Sequence, residues 1–343
     1  MSTAHLYQDY QPGVPSTHPT VSFELYPPRA QARTSSVWTG INRLIDAAPD
    51  YVSVTFGAGG AKGDSRDRSV QVLMNVLDQR RKLPAVAHLT CLGSTRGDMA
   101  MIIRLLLRAG IRDFLALRGD PPSKDLPLST EVETMTRAVD LVYLIREIEA
   151  EVLDPDRPED RVSIAVAAYP ASSGQARAND IAALLEKQRA GADYAITQVF
   201  YDPAQYDSMV RELTLAGGRL PLIPGIMPLN DLRRLEALER LSGVPVPQRI
   251  VDIHRNPDDS LRVWQSLKAT IELIAGVLEA GAPGIHLYTF NRPRPVLDVV
   301  EYLRGGGYLN RYGSTGGTSR MPLPPDVDVE LVGLALRRLT PGV

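Results

Sequence analysis

Apolar residues in this chain fall into two alternating periods. Short, nearly continuous apolar runs, rich in β-branched and aromatic residues, occur at 21–26 (VSFELY), 51–58 (YVSVTFGA), 85–91 (AVAHLTC), 113–119 (DFLALRG), 162–169 (VSIAVAAY), 194–201 (YAITQVFY), 220–227 (LPLIPGIM) and 285–290 (IHLYTF). Runs of this length suit strands buried on both faces, as in a parallel sheet. The stretches between them read as helices. In 98–109, Met99, Ile102, Ile103, Leu106 and Leu107 follow helical spacing, with Gly110 placed to stop the helix. In 180–190, Ile181, Leu184 and Leu185 form a stripe, Asn179 or Asp180 can cap its start, and Gly191 ends it. A longer stripe over 258–280 carries Leu261, Trp264, Leu267, Ile271, Ile274 and Leu278. One stop signal recurs before a strand, at Ala109-Gly110, Ala190-Gly191, Ala216-Gly217 and Ala280-Gly281.

Eight strand–helix units at this spacing predict an α/β protein with a single (βα)8, or TIM, barrel. Two longer gaps contain an acidic, proline-bearing insert at 153–160 and an extra segment around 245–257. An open dinucleotide-binding sheet would need a glycine fingerprint after the first strand. Pro27-Pro28-Arg29 stands there instead. The barrel is expected over 21–303, preceded by a flexible extension, 1–20, rich in Pro, Ser, Thr and Gln. Residues 304–343 read as a loop-like tail with a short amphipathic helix at 326–338.

Composition narrows the partners. A length of 343 residues would allow two domains, but the unit count assigns most of it to one barrel. Lys plus Arg number 38 against 40 Asp plus Glu, so no basic excess exists to bind nucleic acid. The one cysteine, Cys91, excludes an internal disulfide framework and fits a reducing, cytoplasmic setting. No apolar run is long enough to span a membrane, and the N-terminus lacks a secretory pattern. His5, His18, His88, His254 and His286 show no metal-ligand spacing, so no metal site is expected.

In such a barrel the chemistry sits at the C-terminal strand ends. Glu24 lies in an apolar strand, where desolvation should raise its pKa and suit it to general acid work; a structural ion pair is the competing reading. Arg118-Gly119-Asp120 places a cation, a pliable backbone and an anion at one strand end, as a ligand contact or a strand-end salt bridge. Gln198, near the middle of its run, offers a donor–acceptor pair to a heterocycle edge or is a satisfied core amide. His88 could be an acid, a base or a satisfied polar residue, and Cys91 reads as a small buried residue. Gly57–Gly60 could form a weak anion nest.

Taken in order, SFELYPPR (22–29), VSVTFGAGG (52–60) with Arg66-Asp67-Arg68, HLTC (88–91), ALRGDPP (116–122), AAYP (167–170), GADYAITQVFYD (191–202), IPGIMP (223–228) and HLYTFNR (286–292) resemble the strand ends of the methylenetetrahydrofolate reductase family. The resemblance is to the catalytic barrel of the bacterial type. It implies an oxidoreductase of one-carbon metabolism, making 5-methyltetrahydrofolate for methionine synthesis, with NADH or NADPH as co-substrate and FAD as hydride relay. It implies catalytic roles for Glu24, as the folate's proton donor, and for Asp120, beside the flavin N1/C2 edge. Thr55, His88, Leu117, Arg118, Gly119, Tyr169, Asp180 and Lys187 match flavin-contacting positions, and Gln198, Tyr288, Phe290 and Arg292 the substrate side.

Departures surround the adenylate end of that flavin site. The loop Ala171-Ser172-Ser173-Gly174 is short and lacks a histidine that many members carry, and Ala183 and Glu186 replace Asn and Arg of some members. Leu232 stands where some place an aromatic ring. Glu186 would repel a phosphate, so direct hydride transfer without flavin is an alternative. Other readings are a proline-dehydrogenase-like flavin oxidase and a non-catalytic folate- or flavin-binding barrel. The apolar surfaces of 258–280 and 326–338 could serve a homo-oligomer interface.

Overall fold

The computed structural model describes residues 2–28, 35–55, 64–79, 83–92, 94–119, 135–157 and 160–309. Its strands are β1 (Thr20–Leu25), β2 (Tyr51–Val54), β3 (Ala85–Thr90), β4 (Asp113–Leu117), β5 (Ser163–Ala168), β6 (Tyr194–Thr197), β7 (Leu222–Ile223), β8 (Gly225–Ile226) and β9 (Gly284–Tyr288). Its helices are α1 (Ser35–Asp46), α2 (Asp64–Gln79), α3 (Arg96–Arg108), α4 (Ala138–Val152), α5 (Gly174–Arg189), α6 (Pro203–Leu215), α7 (Leu232–Ser242), α8 (Gln248–Arg255), α9 (Asp259–Glu279) and α10 (Pro293–Gly305).

All strand pairs are parallel, in the order β7-β6-β5-β4-β3-β2-β1-β9-β8. The run expected at 220–227 is therefore two short strands. Pro224, which has no N–H to donate, separates them. β7 pairs with β6 and β8 with β9, so this one stretch joins the two edges of a nearly closed barrel. The His286 N–H donates to the Pro224 carbonyl across the break at 2.9 Å. Closure also needs Gly225, because a Cβ there would lie 2.2 Å from the Thr197 carbonyl oxygen and 2.5 Å from the Tyr288 hydroxyl.

The strand period of two sorts side chains into two layers. Val21, Phe23, Leu25, Val52, Val54, Ala87 and Leu89 pack outward against the helices in the main apolar core. A smaller cluster, including Tyr51, Val86, Leu115, Ala165, Tyr194 and Ile196, fills the barrel interior. The four Ala-Gly stops behave as the sequence predicts, with Gly110, Gly191, Gly217 and Gly281 at φ of 93°, 105°, 85° and 90°. Thr95 caps α3 and Asp258 caps α9, each accepting backbone N–H groups.

Two expectations are corrected. Helix α5 starts at Gly174, so Asn179 and Asp180 lie inside it rather than capping it. Buried Arg177 secures the added turn, donating to the Pro170 and Ser172 carbonyls and pairing with Glu212 at 3.2 Å. The N-terminal stretch, expected to be flexible, is docked. A 3-10 turn, Thr3–Tyr7, inserts buried Thr3 and Tyr7 beneath the barrel. The Thr3 hydroxyl donates to Asp113 Oδ1 at 2.7 Å and reaches Ser163 Oγ at 3.0 Å. The Tyr7 hydroxyl donates to Tyr51 at 3.1 Å. Polar side chains at the barrel's lower end need partners, and the polar segment supplies them.

The extra segment around 245–257 becomes α8. With α7 it carries a third apolar cluster, containing Val199, Tyr201, Met227, Leu229, Leu235, Ile250 and Ala269, at the upper rim. Helix α9 buries Ile271, Ile274 and Leu278 but leaves Leu261 and Val263 exposed. Residues 304 and 305 close α10, whereas the helix expected at 326–338 lies outside the described residues. Among the described residues no helix is long and apolar enough to cross a membrane.

Candidate active site

Alternation along β1 turns Ser22 and Glu24 into the barrel while Phe23 and Leu25 face the helices. Glu24 is 7% exposed, and its register partners are Ser53 on β2 and Tyr288 on β9. Burial pushes its carboxyl up to about 7, against a smaller downward effect from Tyr26. The Tyr26 hydroxyl donates to Glu24 Oε2 at 2.5 Å. His88 Nδ1 of β3 stands 3.9 Å from Oε1. Desolvation lowers His88 to about 3, so the imidazole is neutral and the pair is not ionic. Its other nitrogen, Nε2, is buried and has no hydrogen-bond partner among the described residues. His286, lowered to about 3 by burial, is tied to Ser22 Oγ at 2.8 Å.

The Tyr288 hydroxyl donates to the Thr197 carbonyl at 2.7 Å. Its own proton is held well above the ordinary tyrosine range by burial first, and by Glu24 and Tyr169. Tyr288 therefore stands electrostatically between the buried carboxyl and the next part of the mouth. After β9 the chain turns through Phe290 and Asn291, both at positive φ, 49° and 57°. The Asn291 side chain accepts from the Tyr26 N–H at 2.8 Å and donates to the Tyr26 carbonyl at 2.7 Å. Phe290 stacks on Tyr26 with centroids 5.2 Å apart, and the Arg234 guanidinium of α7 lies over the Phe290 ring at 5.1 Å from its centroid.

Beside this centre, at the ends of β4, β5 and β6, lies a cleft of about 680 Å³. Leu117, Arg118, Tyr169, Asp180, Lys187 and Gln198, all singled out from the sequence, line it together. Gln198 is not mid-strand: β6 ends at Thr197, so the amide sits at the mouth. Its Oε1 accepts from the Val199 N–H at 2.9 Å. Lys187 donates to the Ala167 carbonyl at 3.2 Å, and burial lowers its pKa. Glu186 forms an ion pair with Arg137 at the cleft edge.

The remaining expected residues fall nearby or outside. Buried Thr55 follows β2 and donates its N–H to the Leu25 carbonyl at 3.0 Å. Gly119 takes φ 84°, and a Cβ there would meet Thr90 at 2.9 Å. Arg292 is exposed at the start of α10. Asp120 and Gly57–Gly60 lie outside the described residues. Cys91 is buried, with its thiol pushed up to about 11 by burial, which suits packing rather than nucleophilic attack.

Sequence reasoning missed Tyr26, Asn291, Arg234 and Arg137. Tyr26 had a usable signal, since it sits two residues after Glu24 in one extended stretch and so projects to the same face. The others reach the site through contacts distant in sequence.

Comparison with known proteins bears on the family and the fold. A sequence profile of the family described as methylenetetrahydrofolate reductase matches residues 11–304. The 5,10-methylenetetrahydrofolate reductase of Escherichia coli (strain K12) is 34% identical over 279 residues, covering 79% of this chain and 86% of that protein. Methylenetetrahydrofolate reductase 2 of Schizosaccharomyces pombe is 32% identical over 322 residues, 87% of this chain and 47% of that protein. Among solved structures, a Clostridium thermocellum protein described as binding two copies of 5-methyl-5,6,7,8-tetrahydrofolic acid superposes with a TM-score of 0.51. It is 16% identical and covers 79% of this chain and 88% of that one, a likeness of fold.

Proposed function

The chain belongs to the methylenetetrahydrofolate reductase family, and on that premise we propose that it reduces 5,10-methylenetetrahydrofolate to 5-methyltetrahydrofolate with a hydride from NADH or NADPH. The observation that carries the reading is Glu24, a buried carboxyl poised near neutrality at the barrel mouth. A carboxyl that is still protonated near neutral pH can deliver a proton to the folate nitrogen as the bridging ring opens. The iminium so formed accepts the hydride at its methylene carbon, giving the methyl group. Gln198 offers a donor–acceptor edge to the pterin, and Tyr288 and Phe290 supply apolar faces beside Glu24. Arg292 serves the outer, glutamate-bearing end of the folate.

The cleft fits a flavin on the chemistry of its lining. Leu117 offers an apolar contact for a ring, Tyr169 an aromatic face, and Arg118 and Lys187 are cations for phosphate; Gly119 follows Arg118 at positive φ. Thr55, His88, Asp120 and Asp180 complete the set that would hold it. Bound there, FAD would supply a hydride carrier at N5. One observation favours a second reading, in which the nicotinamide passes hydride directly to the folate. The carboxylates of Asp180 and Glu186 share the cleft lining, and Arg137 is engaged with Glu186. The Glu186 carboxylate repels a pyrophosphate, whereas Asp180 could instead accept from a ribose hydroxyl.

Anaerobic incubation with methylenetetrahydrofolate and each nicotinamide tests the reaction, with formation of 5-methyltetrahydrofolate expected. Binding of folate without turnover would favour a binding barrel instead. The visible spectrum of the purified protein separates the two hydride routes. A flavin band that bleaches with NADH or NADPH supports the relay, and full folate turnover without that band supports direct transfer.

A further inference from the structure

Resting on the folate-reduction reading, the contacts around Glu24 carry one step more. The carboxyl has two oxygens in different surroundings. Oε2 accepts the Tyr26 hydroxyl at 2.5 Å, whereas Oε1 faces His88 Nδ1 at 3.9 Å and accepts no close donor there. When Glu24 is protonated, the oxygen that accepts from tyrosine is the carbonyl-like one. The acidic proton then resides on Oε1. We infer that Tyr26 is a positioning residue for this reaction, fixing one oxygen of Glu24 so that the other presents the proton.

The tyrosine is itself held from several sides. Its backbone N–H and carbonyl are both engaged by the Asn291 side chain, at 2.8 and 2.7 Å. Its ring lies nearly parallel to Phe290, with 8° between the planes. Phe290 and Asn291 adopt a left-handed backbone that non-glycine residues enter at a cost, and it is this turn that delivers both contacts. The Thr289 hydroxyl donates to the Glu24 carbonyl at 2.5 Å, which ties the same turn to β1 itself. Such restraint exceeds what a wall residue needs, and it converges on a single hydroxyl–carboxyl contact.

The other titratable groups facing this pair come from three elements. His88 on β3 is neutral, Tyr288 on β9 keeps its proton, and Arg234 on α7 acts on Tyr26 across Phe290. His286 on β9 is neutral and lies beyond His88. No cation touches Glu24 among the described residues. Among the described residues the tyrosine is the one hydrogen-bond donor to the carboxyl group, so its removal should be visible.

The test is Tyr26→Phe, which keeps the ring stacked on Phe290 and deletes only the hydroxyl. Hydrogen bonding to the ionised form lowers a carboxyl's pKa, so losing it raises that of Glu24. A general acid works protonated. The basic limb of the kcat–pH profile should therefore move up by about one pH unit, and kcat in the plateau should fall about tenfold from lost orientation, with KM for folate within about twofold. In a Glu24→Gln background the same change should have little further effect on kcat. An infrared titration of the buried carboxyl band, identified by its absence in Glu24→Gln, should show the same upward shift without turnover. An unmoved infrared titration overturns the inference whether or not folate is reduced. Absence of folate turnover in the wild-type protein, with the infrared shift present, instead refutes the functional reading on which the role rests.

Discussion

Replacing Glu24 with glutamine should make the protein's stability less dependent on pH. The folded-state carboxyl titrates at about 7, against 4.5 for an unperturbed glutamate. Because the folded pKa is the higher one, folding binds a proton between those values. The resulting stability is fully present below about 4.5 and is lost as pH rises through about 7. A displacement of this size corresponds to about 3 kcal/mol over the whole window, and to about 2 kcal/mol between about pH 5.5 and about pH 8.5. Glutamine is nearly isosteric and cannot ionise. Relative to wild type, Glu24→Gln should thus gain about 2 kcal/mol at the higher pH over its standing at the lower. For a protein of this size that is a change of roughly 3 °C in the difference between the two melting temperatures. Thermal unfolding of both proteins at the two pH values measures it, and comparing the differences removes the titration of every other group. An equal melting difference at both pH values would refute the raised pKa and, with it, the physical case for an acid near neutrality.

Three further outcomes follow from other contacts. Thr3→Val removes the hydroxyl that donates to buried Asp113, whose pKa burial has already pushed up to about 6, and should cost about 1–3 kcal/mol in urea unfolding; an unchanged midpoint would mean the N-terminal turn is not part of the folded core. Gly225→Ala would push a Cβ against Thr197 and Tyr288 where the barrel closes. Loss of soluble protein, or a melting temperature lower by several degrees, is expected, and a wild-type melting curve would contradict the closure argument. Glu186→Arg removes a carboxylate from the cleft edge and frees Arg137 from its ion pair. Added FAD, followed by quenching of its fluorescence, should bind up to about tenfold tighter, and unchanged binding would place the phosphates elsewhere.

Much of this architecture is legible in the sequence, for a physical reason. Strands sealed between barrel interior and helices must be apolar on one face and mostly small or apolar on the other, so VSFELY and AVAHLTC announce themselves. The Ala-Gly stops are equally local, because a left-handed residue after a helix selects glycine. What escaped is what depends on distant partners. The break at Pro224 matters only because its two sides pair with different neighbours. The N-terminal segment looks unstructured until Asp113, Ser163 and Tyr194 are brought together beneath it. At the site, Glu24, Arg118, Tyr169 and Gln198 could be read from strand ends, whereas Asp180 and Lys187, within α5, are marked only by the family resemblance. The grip of Asn291 on Tyr26 spans a sequence separation of 265 and leaves no local trace. Asn179 and Asp180 misled because residues that favour caps also occur within helices, and here Arg177 decides where the helix begins.

The central claim is that a protonated Glu24 drives folate reduction at this barrel mouth. Single-turnover formation of 5-methyltetrahydrofolate by wild type and Glu24→Gln, at saturating NADH or NADPH, tests it most directly. A rate lower by about 10²–10⁴ in the variant, with nicotinamide binding unchanged, is the predicted result. A variant that forms product within about threefold of the wild-type rate would contradict the account.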